Sequence, residues 1–127
     1  MKINWVVASG YQIDPTIDIE KIKDIGAVWG SWTTWRNCGT DNVICSDFSK
    51  ARDLIDRAFQ AVCNFYVPSP NYQGLGRPTG VKLYDGRFDQ EVDNLDDIVA
   101  MHLAAGQSDI VLLLGFDFCP PKQVPDT

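Results

Sequence analysis

Ile3-Asn-Trp-Val-Val-Ala8 runs into Ser9-Gly10, and near the other end Asp109-Ile-Val-Leu-Leu-Leu-Gly-Phe-Asp-Phe118 has the same form. Each is a strand-length apolar run that stops in small or polar residues. A strand with one wet face alternates apolar and polar side chains; these runs are continuous, which predicts burial on both faces. Three further runs fit the same reading: Ala27-Val-Trp-Gly-Ser-Trp32, Asn42-Val-Ile-Cys-Ser46 and Ala61-Val-Cys-Asn-Phe-Tyr-Val67.

Helical signals lie between them. Asp14-Pro15-Thr16 opens a helix that Gly26 closes. Asp47 precedes the clearest one, in which Phe48, Ala51, Leu54, Ile55, Ala58 and Phe59 recur at helical spacing. A third runs from Asn94 to Gly106, with Asp96 and Asp97 in its first turn, where negative charge complements the helix dipole. Residues 33–41 read as a loop. Pro68 to Gly80, with three prolines and three glycines, reads as a long loop, functional or mobile. Val81 to Asp93 shows neither period.

Strands alternating with helices predict a parallel sheet covered on both faces. Right-handed crossovers then bring every strand's carboxyl end to one edge, where open α/β sheets bind ligands. The run ends are therefore the candidate binding residues: Ser9, Gly10 and Tyr11; Ser31 and Trp32; Ser46 and Asp47; Ser69; and Asp117. Arg77 joins them as the only cation of the Pro68–Gly80 loop, placed to swing as a lid onto an anionic ligand. Val6, Val28, Ile44, Phe65 and Val111 to Leu113 are the expected core, with 109–114 as a central strand.

Several of these residues have a plainer reading. Ser9-Gly10 is either a backbone cradle for phosphate or ribose or simply a strand-to-helix turn. Asp47 caps a helix and, at that edge, also faces any bound hydroxyl. Of Trp29 and Trp32, one belongs to the core and the other stands near the strand end, able to stack on a base or sugar. The acidic run Asp85, Asp89, Glu91, Asp93, Asp96 and Asp97 reads as a solvated face rather than a cation site. His102 reads as a packed helical residue rather than a general base.

Composition excludes several classes. The 11 bases and 17 acids give a net charge of −6. Residues 1–80 balance at eight of each, so the whole excess falls in 81–127, with nine acids against three bases. No basic stripe exists to track a nucleic acid or an anionic membrane. No apolar stretch reaches the roughly 18 residues that span a bilayer, and no leader is visible, so a cytoplasmic address is expected. Four cysteines without a C-x-x-C pair, beside one histidine, predict neither a zinc site nor a disulfide framework. G-x-G-x-x-G and the P-loop motif are absent, and no cofactor is expected.

Ala100-Met-His-Leu-Ala-Ala-Gly-Gln-Ser-Asp-Ile-Val-Leu-Leu-Leu-Gly-Phe-Asp-Phe118 resembles a segment of the bacterial lipooligosaccharide sialyltransferases. It is also similar to the related family of hydroxymethylpterin diphosphokinases and motility-associated glycosyltransferases. There a helix of small residues leads into an apolar strand ending Gly-x-Asp-Phe. Ala8-Ser-Gly-Tyr11, Gly30-Ser-Trp32 and Ser46-Asp47 match the order of those families' other strand ends. The resemblance covers residues 3–47 and 95–118, and it implies a Rossmann-like nucleotide-binding core. The sialyltransferase histidine follows the Gly-x-Asp-Phe strand, whereas His102 precedes it, so no catalytic residue is carried over. The chain resembles a reduced version of that core, of the kind a phage genome carries.

The expectation is one α/β Rossmann-like domain over residues 1–118, with about five mainly parallel strands, helices on both faces and a Pro-rich tail over 119–127. Its expected ligand is a nucleotide or nucleotide-sugar-like small molecule. The alternative is a non-catalytic interaction or structural protein that keeps the fold without the chemistry. Oligomeric state is not legible.

Overall fold

A computed structural model describes residues 1–9, 19–85 and 95–116. The elements are β1 (Ile3–Val7), α1 (Ile19–Ile25), β2 (Ala27–Ser31), α2 (Trp32–Cys38), β3 (Asn42–Ile44), α3 (Phe48–Asp56), a 3-10 turn (Phe59–Ala61), β4 (Asn64–Pro68), α4 (Ser69–Tyr72), β5 (Lys82–Tyr84), α5 (Leu95–Gly106) and β6 (Ile110–Leu114). The six strands form one sheet in the order β5-β4-β3-β2-β1-β6, and every pairing is parallel. The α/β Rossmann-like expectation holds, with six strands in place of about five.

The order explains where the helices lie. From β1 to β5 the chain steps in one direction, so right-handed crossovers keep α1 and α3 on one face. That face is cored by Val7, Ile22 and Val28 and by Val43, Ala51, Leu54, Phe59 and Phe65. After β5 the chain reverses and returns through α5 to the far side of β1. The return puts α5 on the opposite face, over Val6, Trp29 and Ile44, with Val99, Ala100 and Ala104 as its contact row.

Three expectations are corrected. Residues 110–114 are an edge strand, paired with β1 alone. Ile110 and Leu113 are 38% and 36% exposed, and Leu112 is half-buried, unlike Val6, Val28, Ile44 and Phe65, which are fully buried. An apolar run alone therefore fixes neither full burial nor rank in the sheet: with β1 as its one strand neighbour, this one keeps two side chains open. Residues 33–41 are mostly helix. Ser31 caps α2, accepting from the Thr34 N–H at 3.3 Å, and Gly39 closes it at φ 67° with its N–H on the Trp35 carbonyl at 2.7 Å. Inside it Trp32 and Trp35 stack at 5.2 Å, so packing outweighs the low helix propensity of Trp and Thr.

The Pro68–Gly80 segment, finally, is anchored rather than loose. Asn71 donates to the Ser46 carbonyl, Arg52 donates to the Gly74 carbonyl, and Leu75 is buried in the core. Gly10, Tyr11 and Asp117, and the tail 119–127, lie outside the described residues.

Candidate functional site

The carboxyl ends of β1, β2 and β3 surround a cavity of about 300 Å³. Five of the candidate residues line it: Ser9, Ser31, Trp32, Ser46 and Asp47. They come from three strand ends distant in sequence, and the parallel sheet makes them neighbours. Ser69 and Arg77 do not line it. Ser69 begins α4 and donates its hydroxyl to the Tyr84 carbonyl at 2.9 Å, tying β4 to β5. Arg77 is exposed, in a left-handed turn at φ 52°.

Reading the strand ends alone misses the other half of the lining. Thr33, Cys45, Lys50, Leu95 and Asp96 also line the cavity. The missing signal was topological: the first turn of a helix that follows a strand sits at the same edge as that strand's end. Lys50 lies in the first turn of α3, where its N–H is capped by the Asp47 carboxylate at 3.1 Å. The amine of Lys50 stands 5.6 Å from the Trp32 ring centroid. Trp32 spends one face on Trp35, and its edge meets Phe59. The ring therefore holds a cation at the cavity instead of offering a free stacking face.

Asp96 and Asp97 overturn the solvated-face reading for their part of the acidic run. Asp97 is only 4% exposed and takes two hydrogen bonds from Ser9, one from its N–H and one from its hydroxyl. With that proton committed, the Ser31 hydroxyl donates to Ser9 Oγ at 2.6 Å. Thr34 completes the chain by donating to the Val7 carbonyl at 3.1 Å. Asp96 accepts from the Ser46 N–H at 3.1 Å. Burial holds both carboxyls above their ordinary range. Hydrogen bonds from Ser46 and Ser9 pull the other way, and Asp97 and Asp47 push Asp96 up further.

Burial also pushes the Cys45 thiol up to about 12, with Asp96 adding to the effect. A thiol that stays protonated at neutral pH is not a nucleophile, so Cys45 is lining and not chemistry. His102 is exposed on α5, not packed as its apolar neighbours suggested, and does not line the cavity. Among the described residues no group of three or more His, Cys, Asp or Glu is placed to hold a metal ion. No helix among them is long and apolar enough to cross a membrane.

Comparison with protein-family models, curated proteins and solved structures returns no match.

Proposed function

We propose that the chain binds a nucleotide or nucleotide-sugar-like small molecule in this cavity. The observation that carries the reading is the amine of Lys50, held over Trp32 and facing the carboxylates of Asp47 and Asp96 across one small space. An amine beside an aromatic ring, facing solvent, is a ready partner for one phosphate. Carboxylates and serine hydroxyls accept from and donate to the hydroxyls of a ribose or hexose. With two acids against one base in the lining, sugar hydroxyls are the larger part of the recognition and a single phosphate the smaller. The resemblance to glycosyltransferases makes nucleotide sugars the first ligands to try.

A thermal-shift screen against nucleosides, nucleotides and nucleotide sugars tests this. Ligand at a hundredfold excess over Kd stabilises by about 2.7 kcal/mol, which is easily seen. Lys50→Ala should weaken phosphate-bearing ligands and leave the parent nucleoside unchanged. A panel in which nothing raises the melting temperature overturns the reading. The alternative, a non-catalytic interaction protein, draws on apolar side chains left open at both sheet edges: Leu83 on β5, and Ile110 and Leu113 on β6. Concentration-dependent self-association with no ligand response would favour it.

A further inference from the structure

A second cavity, of about 250 Å³, opens at the opposite, amino edge of the sheet, on the α5 face. The register builds it. Trp29 pairs with Asn42 and Asn42 with Asn64, so one row across β2, β3 and β4 reads Trp-Asn-Asn. Asn4 on β1 projects from the same face, two residues before Val6. All four residues line the cavity, with Lys2 before β1 and Lys82 at the start of β5.

Apolar packing does not account for this row. Asn4 and Trp29 are each 2% exposed, yet Asn4 Nδ2 and Trp29 Nε1 have no hydrogen-bond partner. Asn64 Nδ2, by contrast, is satisfied by Asn42 Oδ1 at 3.0 Å. A buried donor left unpaired is costly, and a phenylalanine at 29 or a leucine at 4 would avoid the cost. Both residues line this one cavity, and a small shift of either side chain would bring its donor to an acceptor held there. The charge agrees: the described lining holds two lysines and no carboxylate, in a chain whose net charge is −6. Four strand spacings, about 19 Å, separate β1 from β5, so the two amines enter from opposite ends.

We propose that this amino-edge cavity is a second binding site, independent of the first, for a small organic or inorganic oxyanion, carboxylate or phosphate. Its oxygens accept from Trp29 Nε1 and Asn4 Nδ2, and the amines of Lys2 and Lys82 balance its charge.

Indole N–H resonances test it directly. The full chain has four tryptophans, and Trp29→Phe identifies the signal of Trp29. Titration with succinate and, separately, with inorganic phosphate should shift that signal saturably in at least one arm and leave the Trp32 signal in place. Neutral succinamide should move it at least tenfold less effectively. The double variant Lys2→Ala/Lys82→Ala should weaken binding at least tenfold. Asn4→Leu should abolish binding while melting no lower than the parent. Should that variant not fold, the lysine pair decides. The proposal is overturned by a Trp29 signal that ignores both anions, by a shift at Trp32 instead, by succinamide matching succinate, or by an unchanged midpoint in the lysine variant.

Discussion

Asp97 accepts both hydrogen bonds that Ser9 can give, from the backbone N–H at 2.8 Å and from the hydroxyl at 2.7 Å. The two residues are 88 positions apart. The bond joins the end of β1 to the first turn of α5, and thus the first strand to the only described helix of the opposite face. It holds Ser9, which lines the carboxyl-edge cavity, against the first turn of α5.

Asp97→Ala should therefore destabilise the protein by about 2–4 kcal/mol, because two partly buried donors lose their acceptor at once. Asp97→Asn keeps one acceptor oxygen and should cost less. Urea unfolding of the two variants checks the order. A loss below about 0.5 kcal/mol for the alanine variant, the range of ordinary surface changes, would contradict it.

The core separates a central strand from an edge strand. Phe65 on β4 is fully buried and meets Phe59 edge-on at 5.3 Å. Phe65→Ala should cost about 3–5 kcal/mol. Leu112 lies half-buried on the edge strand β6, so Leu112→Ala should cost roughly half as much or less. Equal losses in denaturant would place β6 inside the sheet.

The sequence shows most of this fold and about half of its carboxyl-edge site, for physical reasons that differ by element. β1 to β3 and β6 are legible because apolar runs stop at small residues; of the run Ala61–Val67 only the part from Asn64 is strand, since Ala61 closes a 3-10 turn and Val62 is 64% exposed. α3 was legible because Asp47 caps an amphipathic period. β5 was not, since Lys82-Leu-Tyr84 has three residues and two of them are exposed. α2 reads as loop although both its caps, Ser31 and Gly39, are in the sequence, because Trp and Thr are weak helix formers. Ser9, Ser31 and Ser46 were found as strand ends. Asp96 and Asp97 were not, since an acidic run usually faces solvent and only the crossover of α5 turns these two toward the sheet edge.

Gly30 carries a steric prediction. A Cβ there would stand 2.8 Å from both Cβ and Cγ2 of Thr34. Thr34 is 1% exposed and its hydroxyl holds the Val7 carbonyl, so it cannot step aside freely. Gly30→Ala should cost about 1–3 kcal/mol, the usual range for overpacking. Thr34→Ser removes one of the two colliding carbons. The double variant should therefore lose less than the sum of the singles, which a double-mutant cycle in urea measures. Strict additivity would mean the strain lies elsewhere.

The last prediction concerns pH. Burial raises the folded-state pKa of Asp96 above its ordinary value of 3.8. Between 3.8 and the raised value the folded state binds more protons than the unfolded one. Stability from this group therefore grows as pH falls through that window and is lost as pH rises out of it. Asp96→Asn keeps an oxygen to accept from the Ser46 N–H and removes the titration. At neutral pH the variant should melt above the parent, because it no longer buries a charge. Towards pH 3.8 the parent's Asp96 becomes neutral, and the gap should close. Melting temperatures of both proteins across that range check the sign: a gap that widens on acidification would show that Asp96 is held as a carboxylate by its Ser46 hydrogen bonds and not penalised by its burial.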